Sequence, residues 1–291
     1  MIIEKIKVAK FRGFENVEFE LGTQLTIIAG QNGTQKTTIL GMLTQPFTIS
    51  DENNPMKSEK PLSGGSFKSA FKDKFKLSNQ FDIPKSHEWS LHLRESEEPF
   101  TVESIERTKG SLEVRFWQKG RRDKGSGYIQ LPVIFLSLKR LIPIGEDTRL
   151  QEGQIQELTE SERKFLVKYH QQILISDEDI TDTNYLNSPD KTTLGVNTEN
   201  YDWKLNSAGQ DNIGKILLAV LSFQRLKEKY PNDYKGGLLS IFLLSAQVTG
   251  CGATTRSRTW QRRKVLHAIL RWYTSFIMAG GRSLRMCSPT P

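Results

Sequence analysis

Apolar and polar residues alternate over residues 2–8, where Ile2, Ile6 and Val8 stand against Glu4, Lys5 and Lys7. They alternate again where Val17, Phe19 and Leu21 interleave with Glu18 and Glu20. A period of two marks a strand with one buried face. Arg12-Gly13-Phe14-Glu15-Asn16 supplies the turn between the two strands. Leu25-Thr26-Ile27-Ile28-Ala29 lacks the alternation, which predicts a central strand buried on both faces. A glycine-containing loop follows, then a helix from Thr37 to about Leu43 with Ile39, Leu40 and Leu43 on one face. Pro46 stops it, because proline has no N–H to donate and clashes with the preceding turn.

Further along, the pattern coarsens. Residues 48–86 are polar and Lys-rich and read as a long excursion with a short helix near 67–76. Two or three strands are expected over residues 87–117, at Trp89–Leu93, Phe100–Ile105 and Leu112–Trp117, then a basic, glycine-containing hairpin turn over Lys119–Gly127. Pro132 to Leu136 reads as another buried strand. Residues 155–175 are helical, with Thr159 or Ser161 as the cap, and 176–200 read as a polar loop. The strongest helix is Ile213–Tyr230, with Ile213, Ile216, Leu217, Val220, Leu221 and Phe223 facing inward. Pro231-Asn232-Asp233-Tyr234 is a turn, and Leu238–Leu244 is apolar again. There is no internal repeat.

At 291 residues, 36% hydrophobic and 25% charged, the chain is long enough for a substantial core. No apolar run reaches the roughly 18 residues of a membrane span, and the first residues do not resemble a signal peptide. Two cysteines cannot make a disulfide framework, so the expected compartment is the reducing cytoplasm. They are also too few and too far apart for a zinc site.

The net charge of +8 suggests nucleic acid until it is located. Residues 1–244 carry 33 basic and 33 acidic side chains, whereas 245–291 carry eight basic and no acidic ones. The last acid is Asp233. Both cysteines (Cys251 and Cys287) and two of the five tryptophans (Trp260 and Trp272) lie in the tail, where Arg replaces Lys as the common base. A basic nucleic-acid arm is one reading. Out-of-frame or foreign sequence is the other and the one expected, because misread coding DNA enriches these residue types. The expected domains are therefore a head at 1–244, incomplete and containing the 48–86 excursion, and an Arg-rich tail at 245–291.

The chemistry is concentrated at Gly30-Gln31-Asn32-Gly33-Thr34-Gln35-Lys36-Thr37, close to the pattern G-x-x-x-x-G-K-[ST] and lying between a buried strand and a helix. Backbone N–H groups in such a loop can wrap phosphate oxygens, and the helix N-terminus adds partial positive charge. Lys36 would reach the β- and γ-phosphates, and the Thr37 hydroxyl would sit on Mg²⁺, with Thr38 completing the segment. Position 35 is Gln where the pattern has Gly. A Cβ there crowds the phosphate and restricts the backbone, so the site is either a tolerated variant or a weakened one.

Residues 1–40 as a whole resemble the opening of the ABC-type ATPase heads of SMC, RecF and OLD proteins, a group of AAA-family ATPases of DNA metabolism and anti-phage defence. Those heads begin with a strand, an F-R-x-F turn, a second strand and the phosphate loop. The resemblance implies an α/β P-loop fold, with N-terminal antiparallel strands beside a parallel core sheet flanked by helices. It implies ATP and Mg²⁺ as ligands, a head-to-head homodimer, and DNA or an effector protein as partner, with no membrane. It makes Arg12 a possible nucleotide contact, although a solvated turn arginine fits equally. Asn206-Ser207-Ala208-Gly209-Gln210 resembles the family's S-x-G-[EQ] signature, whose Ser207, Gly209 and Gln210 would close over ATP held by a partner head. Leu62-Ser63-Gly64-Gly65 spells that signature better but is expected to be a loop, because no strand suited to a second catalytic motif follows it.

The same resemblance requires an apolar strand ending in Asp-Glu after the signature helix, to hold Mg²⁺ and position water. The strand opens at Lys235-Gly236-Gly237-Leu238-Leu239, but Ser240-Ile241-Phe242-Leu243-Leu244-Ser245 contains no acid. No catalytic residue is identified, and His267 has no evident role. Hydrolysis is expected to be lost, and the C-terminal part of the fold to be missing.

Overall fold

The structure is a computed structural model. It describes all residues except 30–32, 69–73, 76, 79, 123–126, 138–148, 150, 153–157, 175–179, 188–191, 201, 206–207, 242–283 and 288–291.

The two N-terminal strands form where alternation predicts them. β1 (Ile3–Phe11) and β2 (Phe14–Glu20) pair antiparallel with Phe11 opposite Phe14, so Arg12 and Gly13 alone make the turn. Three more antiparallel strands, β4 (Glu88–Leu93), β5 (Phe100–Glu106) and β6 (Val114–Gln118), complete a sheet of order β2-β1-β4-β5-β6. Its inward positions are Ile6, Val8, Phe11, Trp89, Leu91, Val102 and Phe116. Between β2 and β4 come β3 (Leu25–Ile28) and the helix α1 (Lys36–Thr44). Ile39, Met42 and Leu43 of α1, with Phe47 beyond it, pack on that inward face. Each such side chain contributes about 1.5–3 kcal/mol of burial, which is what anchors the helix. The Trp89 indole N–H also donates to the Met42 carbonyl at 3.1 Å, satisfying an end-of-helix acceptor.

The excursion between α1 and β4 consists mainly of turns among its described residues. It is not a detached loop. Phe75 is buried against Phe11 and Phe116, and a Cβ on Gly41 of α1 would meet the Phe75 ring at 2.7 Å. Most of the predicted 67–76 helix lies outside the described residues. Leu62-Ser63-Gly64-Gly65 is a turn, with Leu62 and Ser63 buried and both glycines at positive φ. The Leu62 N–H donates to Ser222 Oγ at 2.8 Å, pinning the turn to the long C-terminal helix.

That helix, α3 (Ala208–Lys229), begins five residues earlier than periodicity predicts. It is buried on two sides. Ile213, Leu217, Leu218 and Leu221 meet Leu166 and Ile173 of α2 (Glu160–Leu174), while Ile216, Ala219 and Leu226 meet Ile134 and Leu136 of β7 (Val133–Leu136). Two-sided burial explains why Leu218 and Ala219 are buried, whereas the predicted Val220 and Phe223 are only half-buried. Thr159 is the cap of α2. Its N–H donates to Glu162 Oε2 at 2.8 Å, and Glu162 N–H donates to Thr159 Oγ1 at 3.3 Å, a reciprocal capping box. Glu162 also receives Arg225 of α3 in a bidentate pair at 2.7 and 2.8 Å.

Two expectations are corrected. The stretch 176–200 is not a loop. β9 (Ile180–Asn187) and β10 (Thr192–Thr198) form an antiparallel hairpin, joined by β8 (Gln151–Glu152) into a three-stranded sheet packed against α3. β3 is not deeply buried, since all four of its residues are partly exposed. Among the described residues, β3 pairs only with β12 (Leu284–Cys287), in parallel, and β11 (Leu238–Ile241) pairs in parallel with β7. A strand flanked on one side keeps less of its surface from water than the centre of a wide sheet. The fold is α/β, with an antiparallel sheet beside separate parallel pairs.

Candidate nucleotide-binding site

The site is built from the strand–loop–helix unit β3–α1 and the Arg12-Gly13 turn beside it. Gly30, Gln31 and Asn32 lie outside the described residues. Gly33 has φ 86, and a Cβ there would meet nothing within 4 Å. The loop therefore turns through a conformation that suits glycine and opens onto space. Gln35 follows at φ 57, ψ 25, the left-handed region, and serves as the N-cap residue of α1. Its carbonyl accepts from Thr38 N–H at 2.9 Å, the first helical hydrogen bond. Lys36 and Thr37 are the first two residues of the helix, both partly exposed, and Thr38 is buried. Neither a side-chain cap nor an acidic residue occupies the first turn. The positive end of the helix dipole is thus uncompensated by carboxylates there, as an anion site needs.

Gln35 also shapes the neighbourhood. Its carboxamide nitrogen lies in close contact with the position a Cβ on Gly13 would take, so the Arg12-Gly13 turn rests directly on the loop. Gln35 Oε1 is buried with no hydrogen-bond partner. Arg12 stands at φ 53 and pairs with Asp82, with Nε to Oδ1 and Nη2 to Oδ2 both at 3.3 Å. Asp82 was not foreseen in the sequence. It lies 70 positions away in the polar excursion, and no spacing rule joins the two.

The signature segment is only partly described. Asn206 and Ser207 lie outside the described residues. Gly209 is exposed and Gln210 half-buried in the first turn of α3. Ser240 in β11 is buried, and its hydroxyl has no hydrogen-bond partner. Two cavities, of about 440 and 250 Å³, lie along α2 and beside residues 48–68, away from the phosphate loop. Among the described residues no helix is long and apolar enough to cross a membrane, and no three His, Cys, Asp or Glu side chains cluster as a metal site.

A P-loop unit of this kind, within a mixed α/β head, defines a nucleotide-binding class. A family model described as an AAA ATPase domain matches residues 1–229. The chain belongs to that family. Among solved structures, it is similar to one titled as the recombination mediator protein RecF with ATP in the RecFOR pathway. The identity is 13% and the TM-score 0.45, over 99% of this chain and 92% of that one. No curated protein matches the sequence.

Proposed function

We propose that this chain is an ABC-type head of the SMC, RecF and OLD kind that binds Mg-ATP on residues 30–38 and does not turn it over. The observation that supports this most is the β3–Gly33–Gln35–α1 unit, with Lys36 and Thr37 at the helix start, inside a chain matched to an AAA ATPase domain. The residues fit a polyphosphate. Gly33 leaves the space a side chain would fill, Lys36 opens a helix whose first turn carries no acid, and the Arg12-Gly13 turn rests on Gln35 just before it. Bound Mg-ATP supplies a polyanion with a transferable γ-phosphoryl group. Lys36 neutralises the outer phosphates, the Thr37 hydroxyl holds the metal, and backbone N–H groups orient the chain of phosphates. Ser207, Gly209 and Gln210 would meet that nucleotide from the partner in a head-to-head dimer. The resemblance places a carboxylate after the signature helix to position the attacking water, and residues 234–291 contain none.

The test is a titration with a fluorescent ATP analogue. Mg²⁺-dependent binding should fall at least tenfold in Lys36→Ala, and phosphate release should stay at background. A Mg²⁺-dependent turnover abolished by Lys36→Ala would overturn the loss of hydrolysis, and binding indifferent to Lys36 would overturn the site.

The pairing of β12 with β3 favours a second reading, in which the tail belongs with the head and its arginines grip nucleic acid. DNA binding that weakens steeply with salt and is lost on deleting 245–291 would support it. An apolar run ending in Asp-Glu in another frame of the gene, after codon 239, would sink it.

A further inference from the structure

Asp82 is 5% exposed, yet carries a charge that four donors share. Arg12 donates from Nε and Nη2, the Ser78 N–H donates to Oδ2 at 2.8 Å, and His87 Nε2 lies 3.0 Å from Oδ1. These fill the acceptor positions of a carboxylate. Burial opposes ionisation, but the Arg12, Ser78 and His87 contacts outweigh it and hold the Asp82 pKa below its ordinary value. His87 is itself buried and supported on its other side. Its Nδ1 lies 3.2 Å from Ser104 Oγ and 3.0 Å from Ser86 Oγ, an arrangement satisfied when His87 is neutral and Nε2 bears the proton. Asp82 is therefore a fixed anchor. Arg12, by contrast, is 33% exposed and sits in the turn that rests on Gln35, the residue before α1. A partly exposed cation, held by Asp82 in a turn that rests on the phosphate loop, is in position to meet an anion bound there.

We propose that Asp82 is a positioning residue for the nucleotide site, holding the Arg12 guanidinium and its turn against the phosphate loop. This rests on the reading that residues 30–38 bind ATP. The excursion thereby becomes part of the site, although none of its residues belongs to the loop.

The experiment is a double-mutant cycle on ATP-analogue affinity in the full chain, with melting temperature measured on every variant. Asp82→Asn should weaken binding about tenfold, and Arg12→Ala by a similar factor. The double variant should be no weaker than Arg12→Ala alone, and Asp82→Glu should recover part of the loss. Because Asp82→Asn removes a buried charge beside His87, Arg12→Lys provides a second route. It keeps the cation but loses the fork, and should weaken binding with little change in melting temperature. Unchanged or tighter binding by Asp82→Asn overturns the proposal. So does a loss of equal size in the Arg12→Ala background, because Asp82 would then act on stability alone. If the unaltered chain binds no ATP, or binds it independently of Lys36, the nucleotide reading itself fails and this inference falls with it. Lys36-dependent binding indifferent to Asp82 sinks only this inference.

Discussion

Substitution of Gln35 separates two costs that the phosphate loop carries. The first is conformational: a residue with a Cβ at φ 57 stands in a region that costs about 1 kcal/mol relative to glycine. The second is the buried, unpartnered Oε1, a class of defect worth about 1–3 kcal/mol. Gln35→Ala removes the second and keeps the first. Gln35→Gly removes both, and both variants lose the contact with Gly13 equally. The difference between them isolates the left-handed backbone, reduced by glycine's extra freedom in the unfolded chain. Gln35→Gly should be more stable than Gln35→Ala by about 0.5–1 kcal/mol in urea unfolding, a shift of about 1–4 °C in melting temperature for a domain of this size. Removing the Cβ also lets a phosphate approach the backbone more closely, so ATP-analogue affinity should rise several-fold in Gln35→Gly and less in Gln35→Ala. The reasoning is refuted if Gln35→Ala proves at least as stable as Gln35→Gly, because the loop would then not hold a left-handed residue in solution.

Three further outcomes follow from packing and charge. Gly41→Ala should lower the melting temperature despite alanine's helix propensity, worth about 1 kcal/mol, because the new methyl meets the buried Phe75 ring and overpacking costs about 1–3 kcal/mol. Arg225→Ala should cost about 2 kcal/mol by stranding Glu162, which is 8% exposed. Burial alone would raise the Glu162 pKa, but Arg225 and Thr159 lower it on balance, so its contribution is present above the ordinary carboxylate range and lost as pH falls through the depressed folded value. Urea melts from pH 7 to pH 3 should show that loss in the parent and a smaller one in Arg225→Ala. His170 is 4% exposed, and burial lowers its pKa from 6.5 to about 4. Protonation therefore favours the unfolded chain, and stability should fall by up to about 3 kcal/mol as pH drops from 6.5 to 4. His170→Phe should flatten that window, and an unchanged slope would count against burial as its cause.

What was legible in the sequence was whatever repeats at short range. β1, β2, β4, β5 and α1 stand within a few residues of their predicted ends because period-two and helical patterns are local. The β9–β10 hairpin escaped because Ile180–Asn187 and Thr192–Thr198 contain few large apolar residues. The available signal was Thr enrichment on both sides of Ser188-Pro189-Asp190-Lys191, a cluster of turn formers. The inward face of α3 is only partly legible, because a single apolar stripe cannot describe a helix buried against two neighbours. In the site, the strand–loop–helix order of β3 and α1 was readable from the local pattern. Asp82 was not, since an ion pair across 70 residues leaves no mark on either local pattern.

These placements divide the chain's chemistry by position. The groups that would hold a nucleotide are fixed by the first half. α1 is bolted to the antiparallel sheet at Met42 and Trp89, the loop leans on the Arg12-Gly13 turn, and that turn is tied to Asp82. Turnover would depend on acids after α3, on the strand that opens at Leu238, and there the chain supplies Ser240 with an orphaned hydroxyl and no carboxylate beyond it. A hydroxyl can donate or accept one hydrogen bond to water, but at neutral pH it brings no negative charge with which to hold a metal shell or take a proton. On the proposed reading affinity and turnover therefore rest on separate stretches, and the family match covers residues 1–229. On the proposed reading, changes at Arg12, Gln35, Lys36 or Asp82 should be visible in binding alone, and ATP should act on this head as a ligand that stabilises it.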